Sequence, residues 1–179
     1  RCIIGLPVYN GMPYLIKAVE SLFNTTKFPF KLIIIESEST DGSQEYCKIL
    51  PLLYPHKDIE VIHTKKEGPL KAYNRLFNIA KERRKDLYLT QTDVIHFRLL
   101  KRDWMFELFS IAQNETTGLV APMGAWGRSG PTYWDGIMWI GGWSCYVPLR
   151  TIDLIGGYDE NYELGDGTDI DYSYNVVHN

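Results

Sequence analysis

No apolar stretch of the sequence approaches the ~20 residues of a membrane span, and no signal peptide stands at its start. The three cysteines, Cys2, Cys47 and Cys145, lie far apart and never in a CxxC spacing. That argues against a disulfide framework or a zinc cluster and suits a reducing compartment. An excess of basic charge is missing too. Lys and Arg number 19 against 22 Asp and Glu, a net charge of −3, so no overall field draws the chain to nucleic acid or anionic lipid. The nearest basic run, "KERRK" at 81–85, closes a helical pattern and reads as a solvated helix end. The dinucleotide fingerprint GxGxxG and the phosphate loop GxxxxGK[ST] are both absent, which removes any glycine-rich cradle for a pyrophosphate. A nucleotide bound here must be held another way, most simply through a metal and a few side chains. His56, His63, His96 and His178 show no metal spacing and no nucleophile partner.

What is present is an alternation. "CIIGLPV", "FKLIIIE", "IEVIHT" and "DLYLTQTD" are short, apolar and rich in β-branched residues, and read as buried strands. Between them run helical patterns. Leu15, Ala18, Val19, Leu22 and Phe23 recur at i, i+3, i+4, i+7 and i+8, an amphipathic stripe. Leu70, Tyr73, Phe77 and Ala80 form another after Gly68-Pro69, and the segment from Asp103 through Ile111 a third. Further strands are expected in "GLVAPMGA" and "GIMWIGGWSCYVPL", and mostly loop in "RTIDLIGGYDENYELGDG" before a helix near Asp169. This order predicts an α/β fold, a three-layer α/β/α sandwich around a mostly parallel central sheet. The 179 residues suit a single domain, 1–179, with a real core. Because the sequence opens inside a strand, a fragment of a longer chain is expected.

In open sheets of this kind ligands bind outside the carboxyl ends of the strands, which directs attention to the loops there. In "ESESTDG" (36–42), turn chemistry and a helix cap at Asp41 explain residues 39–42. Glu36 is different, because an acid at the last strand position is partly desolvated unless it receives donors. A base N–H or a ribose hydroxyl would supply them. Asp93, ending "LYLTQTD", is the natural oxygen ligand for magnesium or manganese. From position alone, a polar strand terminus with no ligand is the better account of it. Asp169 and Asp171 open a helix, where the helix dipole favours carboxylates, and either could instead serve as a general base. Two positions apart, they point to different helix faces. Trp126, Tyr133 and Trp134 sit in a polar loop, where flat apolar faces with polar edges suit sugar rings or a partner surface.

Taken in order, the segments "IIGLPVYN", "IIIESESTDGS", "EGPLKAYNRLFNIA", "LYLTQTDV" and "IDLIGGYDENYELGDGTDIDYSYNV" resemble family 2 glycosyltransferases of the GT-A, nucleotide-diphospho-sugar transferase fold. The resemblance implies transfer of a sugar from a nucleoside diphosphate, UDP being the expected carrier, to a hydroxyl on a glycan or glycoconjugate, with inversion. It implies donor binding by Pro7, Tyr9, Glu36, Asp41, Asn74 and Gln91, and Mn²⁺ or Mg²⁺ at Asp93. It also implies a base at Asp169, and an acceptor wall with Gly142, Trp143 and Asp171. Residues 1–93 would be the nucleotide-binding half and 94–179 the acceptor-binding half, in the cytoplasm or peripheral to a membrane. The chain departs from the pattern where Glu36 replaces an Asp, Gln91 the first acid of Asp-x-Asp, Tyr73 a common Arg and Thr168 a common Glu. Two other readings stand beside this one. A sugar nucleotidyltransferase would be expected to show a Gly-rich, basic first loop, which "LPVYNGMP" does not. A non-catalytic carbohydrate-binding domain is favoured by Gln91 and disfavoured by the retained Asp93, Asp169 and Asp171.

Overall fold

The computed structural model describes residues 2–96, 103–122, 132–134, 137–141, 144–162 and 167–179. Its strands are β1 (Cys2–Val8), β2 (Phe30–Ser37), β3 (Ile59–Thr64), β4 (Leu87–Thr90), β5 (Thr132–Trp134), β6 (Ile137–Trp139) and β7 (Ser144–Val147). The helices are α1 (Tyr14–Thr25), α2 (Ser43–Leu53), α3 (Pro69–Glu82), α4 (Trp104–Ala112), α5 (Leu149–Ile155) and α6 (Thr168–His178). The main sheet runs β3-β2-β1-β4-β7, with β1 parallel to β2 and β4, β2 parallel to β3, and β7 antiparallel to β4. β5 and β6 pair separately as an antiparallel ribbon.

Strand side chains alternate between faces, and both faces of this sheet are apolar. Ile4, Leu6, Leu32, Ile34 and Tyr88 pack with α1, α2 and α4. Their neighbours Ile3, Ile33, Ile35, Leu87 and Leu89 pack with α3, α5 and α6. Doubly buried strands need continuous apolar runs, which is why "IIG" and "LIII" show no polar alternation. The expected three-layer sandwich forms. Because β2 lies on one side of β1 and β4 on the other, strand order reverses at β1. A crevice therefore opens outside the carboxyl ends of β1 and β4.

The structure differs from expectation at four places. Helix α5 occupies part of the segment expected to be loop. It buries Thr151 and Ile152, and Arg150 ties it to the carbonyls of Ala112, Asn114 and Thr117. "GLVAPMGA" contributes, among the described residues, one bridge from Val120 to Tyr146. β4 stops at Thr90, which leaves Gln91, Thr92 and Asp93 in the following loop. Gly42, with φ 95°, takes the cap position of α2 in place of Asp41, whose carboxylate instead reaches over it to the Ser43 N–H.

The outer strand is tied to α3 by charge. Glu60 on β3 accepts both guanidinium nitrogens of Arg83 at 2.7 and 2.8 Å and lies 2.9 Å from Lys31. The Arg83 bonds, then Lys31, outweigh burial and hold the Glu60 carboxyl down at about 2. A carboxyl depressed on folding stabilises above its unfolded value, and that contribution is lost as pH falls toward its folded value. Glu60→Gln is therefore expected to be less stable than the unaltered chain at pH 7, with the difference closing between pH 4.5 and about 2. Urea titrations at stepped pH test this, and a pH-independent difference would contradict it.

Candidate active site

A cleft of about 560 Å³ lies in that crevice, walled by the loop after β1, the β3–α3 loop with the start of α3, and the loop after β4. Pro7, Tyr9, Lys66, Tyr73, Gln91 and Asp93 line it. Asp93 is exposed on its rim, and among the described lining residues it is the one acid and Lys66 the one base.

The first wall is shaped by hydrogen bonds from a neighbouring loop. Three consecutive backbone N–H groups, those of Asn10, Gly11 and Met12, donate to Ser39 Oγ at 2.9 Å, Ser43 Oγ at 3.0 Å and Asp41 Oδ2 at 2.7 Å. In return Thr40 N–H donates to Asn10 Oδ1 at 2.8 Å. This reciprocal set holds Asn10 at φ 50°, in the left-handed region that asparagine tolerates better than most residues. Gly11 is required where the wall meets the β4 loop, since a Cβ there would lie 2.8 Å from Thr92 Cγ2. "STDGS" is thus the clamp that gives the first loop its shape.

Glu36 stands behind this clamp. It is fully buried and does not line the cleft. The donors that its desolvation demands come from the protein: Ser39 N–H at 2.7 Å, His63 Nδ1 at 2.9 Å and Gln44 Nε2 at 3.4 Å. Burial alone would raise this carboxyl, but the bonds from Ser39, His63 and Gln44 outweigh it and hold it below the ordinary range. The inference that Glu36 lacks a partner without a ligand is corrected here. His63, which shows no metal spacing and no nucleophile partner in the sequence, is one of its partners.

Asn74 also turns inward. Its Nδ2 donates to the Tyr158 carbonyl at 2.8 Å and to Glu160 Oε1 at 2.9 Å, while its Oδ1 accepts the Tyr158 N–H at 2.7 Å. The amide pins the loop after α5 to α3 and does not line the cleft. The adjoining Gly157 has no room for a side chain, because a Cβ would fall on Asn74 Oδ1.

Two departures from the family pattern meet each other. Gln91 Nε2 donates to Tyr73 OH at 2.8 Å, a neutral pair on the cleft wall. Burial pushes the Tyr73 phenol up to about 12, with the nearby Asp93 charge adding to it. Asp93, Gln91 and Thr92 thus offer carboxylate, amide and hydroxyl oxygens together. Among the described residues no three His, Cys, Asp or Glu side chains form a metal site. The donor set fits a hard divalent cation that completes its shell with phosphate and water.

Asp169 lies in the first turn of α6 with Gly167 at the cap, and its Oδ1 accepts the Ile170 N–H at 2.9 Å. It is not among the residues lining the cleft. It stands close enough for its charge to raise the buried Cys145 thiol and Tyr158 phenol, though burial is the larger cause for both. Asp171 points elsewhere, accepting from Asn175 Nδ2 at 3.2 Å and raising the Tyr162 phenol. Gly142, Trp143 and Trp126 lie outside the described residues, as do the side chains of Tyr133 and Trp134. Lys66 is the charged residue of the cleft that sequence reasoning passed over, although "TKKEG" follows a strand end.

Comparison with known proteins bears on this geometry. A model described as "Glycosyl transferase family 2" matches residues 3–109. A minor teichoic acid biosynthesis protein of Bacillus subtilis, GgaA, is 31% identical over 93 residues, which are 50% of this chain and 21% of that protein. The fold superposes on a mannosyltransferase from Pyrobaculum calidifontis in complex with GDP-Man and Mn²⁺. The TM-score there is 0.74 at 16% identity, covering 98% of this chain and 51% of that one. GalNAc-T7 with UDP, GalNAc and Mn²⁺ gives 0.74 at 15% identity, covering 98% and 40%. The chain spans between a tenth and about a fifth of the length of the curated relatives it matches.

The clamp makes a direct prediction. The amides of Gly11 and Met12 are expected to resist hydrogen exchange despite lying in a loop. Asp41→Ala removes the acceptor of the Met12 N–H and of the Ser43 N–H, is expected to lower stability by about 1 kcal/mol, and should release the Met12 and Ser43 amides. A Met12 amide that stays protected in the variant would show that the loop is shaped by something else.

Proposed function

Because the chain belongs to glycosyl transferase family 2, we propose that it moves a sugar from a nucleoside diphosphate, UDP in the first instance, to a hydroxyl of a glycan acceptor. The observation that carries this reading is the cleft across β1 and β4, with the exposed carboxylate of Asp93 at its β4 end. Neighbours of the same fold are complexed with GDP-Man or UDP together with Mn²⁺, which supports a nucleotide-sugar and a divalent ion as the ligands. Among the described residues no helix is long and apolar enough to cross a membrane. The three cysteines are buried and free, which supports a reducing, cytoplasmic setting.

In this mechanism Pro7 and Tyr9 receive the nucleoside. Asp41 acts by holding the loop that carries Tyr9, and Glu36 by holding Ser39 within that clamp. Asn74 sets the loop from Gly157 to Glu160 on the acceptor side. Asp93, with the Gln91 amide oxygen beside it, would hold Mn²⁺ or Mg²⁺, which supplies positive charge against the leaving diphosphate. The acceptor oxygen attacks the anomeric carbon opposite the diphosphate, whose bond to carbon breaks with its electron pair. The configuration inverts, and the hydroxyl proton passes to Asp169. A carboxylate can take this role because the hydroxyl proton becomes acidic only as the bond forms. Gly142, Trp143 and Asp171 complete the acceptor side, and residues 1–93 and 94–179 divide donor from acceptor binding.

Two substitutions separate these roles. Asp169→Asn is expected to lower turnover by about 10²- to 10⁴-fold while leaving nucleotide affinity nearly intact. Turnover that survives would assign the base to another group. Asp93→Ala is expected to remove the Mn²⁺ dependence of UDP binding in calorimetric titrations, and binding that keeps its metal dependence would overturn that assignment.

A further inference from the structure

Lys66 is placed oddly for an ordinary surface lysine. Its ammonium points into the cleft, donating to Tyr9 OH at 2.8 Å and lying 4.3 Å from the centre of the Tyr9 ring. The partner is a neutral phenol and not a carboxylate, so the charge is oriented but not neutralised. The Glu38 carboxylate nearby is engaged with the Lys66 backbone N–H, at 3.2 Å. A lysine normally keeps its rotamer freedom in solvent, and fixing it costs entropy that a single bond to a phenol offsets only in part. A ligand acceptor group would supply what the arrangement lacks.

Position along the sheet selects which ligand group that is. Lys66 follows β3 and Asp93 follows β4, and the order β3-β2-β1-β4 puts the two strands three spacings apart, about 14 Å. A nucleoside diphosphate whose phosphates lie at Asp93 crosses β1 and turns its base toward β3. Lys66 therefore meets the base and not the diphosphate. An ammonium only donates, so it matches a carbonyl oxygen. Uracil offers one at its 4-position, where cytosine carries an amino group that would oppose it donor to donor.

On the reading that this cleft holds a nucleotide-sugar, we propose that Lys66, steadied by Tyr9, recognises the 4-carbonyl of uracil and makes the cleft prefer uridine over cytidine donors. The test is equilibrium binding of UDP, CDP and uridine, with Mn²⁺ present, to the unaltered chain, Lys66→Met and Lys66→Arg. Lys66 is exposed, so each variant is expected to melt at the parent temperature. Loss of a charge-assisted bond predicts UDP binding weakened by about 10- to 100-fold in Lys66→Met. Uridine should weaken equally, CDP should not weaken, and Lys66→Arg should recover part of the loss. Unchanged UDP affinity in Lys66→Met overturns the proposal, as does a loss seen with UDP but not with uridine, which would move the ammonium to the phosphates. If the unaltered chain binds no uridine nucleotide with Mn²⁺, the donor assignment itself fails and takes this inference with it.

Discussion

Three successive backbone N–H groups just past the first strand are taken by side-chain oxygens of Ser39 and Asp41, in the loop after the second strand, and of Ser43 at the start of α2. Parallel pairing makes this possible, because β1 and β2 run in register up to Val8 against Glu36 and release their chains at the same height. Loops leaving adjacent parallel strands would otherwise carry unpaired N–H groups at the lip of the core, each costly where water is partly excluded. Ser39, Asp41 and Ser43 remove that cost and set the path of the chain that displays Tyr9. Buried Glu36 holds Ser39 in turn, and Gly11 lets Thr92 approach from the third loop. The walls of the cleft are therefore one connected hydrogen-bonded structure built on the sheet, with little freedom to drift apart.

Among the described residues the charges around this frame are sparse and separated. Glu36 is charged but sequestered, Tyr73 and Gln91 form a neutral pair, and Asp93 and Lys66 are left facing the cleft. Deeper in, Tyr88 bridges His96 and Ser144, and burial lowers His96 to about 4, so that it is a neutral packing group stacked on Trp104. A cleft whose described residues place one anion and one cation at opposite ends suits a long ligand that carries negative charge at one end and an acceptor edge at the other.

Much of the fold was legible in the sequence, because doubly buried parallel strands and amphipathic helices leave different periodicities. α5 was not, since it is short, β-branched and secured mainly by distant bonds from Arg150. In the site, local reasoning recognised that Glu36 demands donors and missed where they come from. His63 is 27 residues away, and only the pairing of β2 with β3 brings it near. Asn74 likewise meets a loop 84 residues on. Gln91 and Tyr73 read as two separate departures, and their contact shows them to be a single pair. Lys66 carried no periodic or turn signal, and its place in the cleft depends on where Tyr9 is held.

On the proposed function, one cleft, framed by the clamp between β1 and β2, holds a nucleotide-sugar with its phosphates at Asp93 and its base toward Tyr9. A crystal structure of the chain with UDP and Mn²⁺ measures this most directly. An anomalous manganese peak is expected against the Asp93 carboxylate and a uracil ring beside Tyr9, with the loop from Asn10 to Met12 unmoved. Manganese or nucleotide bound away from Asp93, or a cleft that must open the clamp to admit the base, would contradict it.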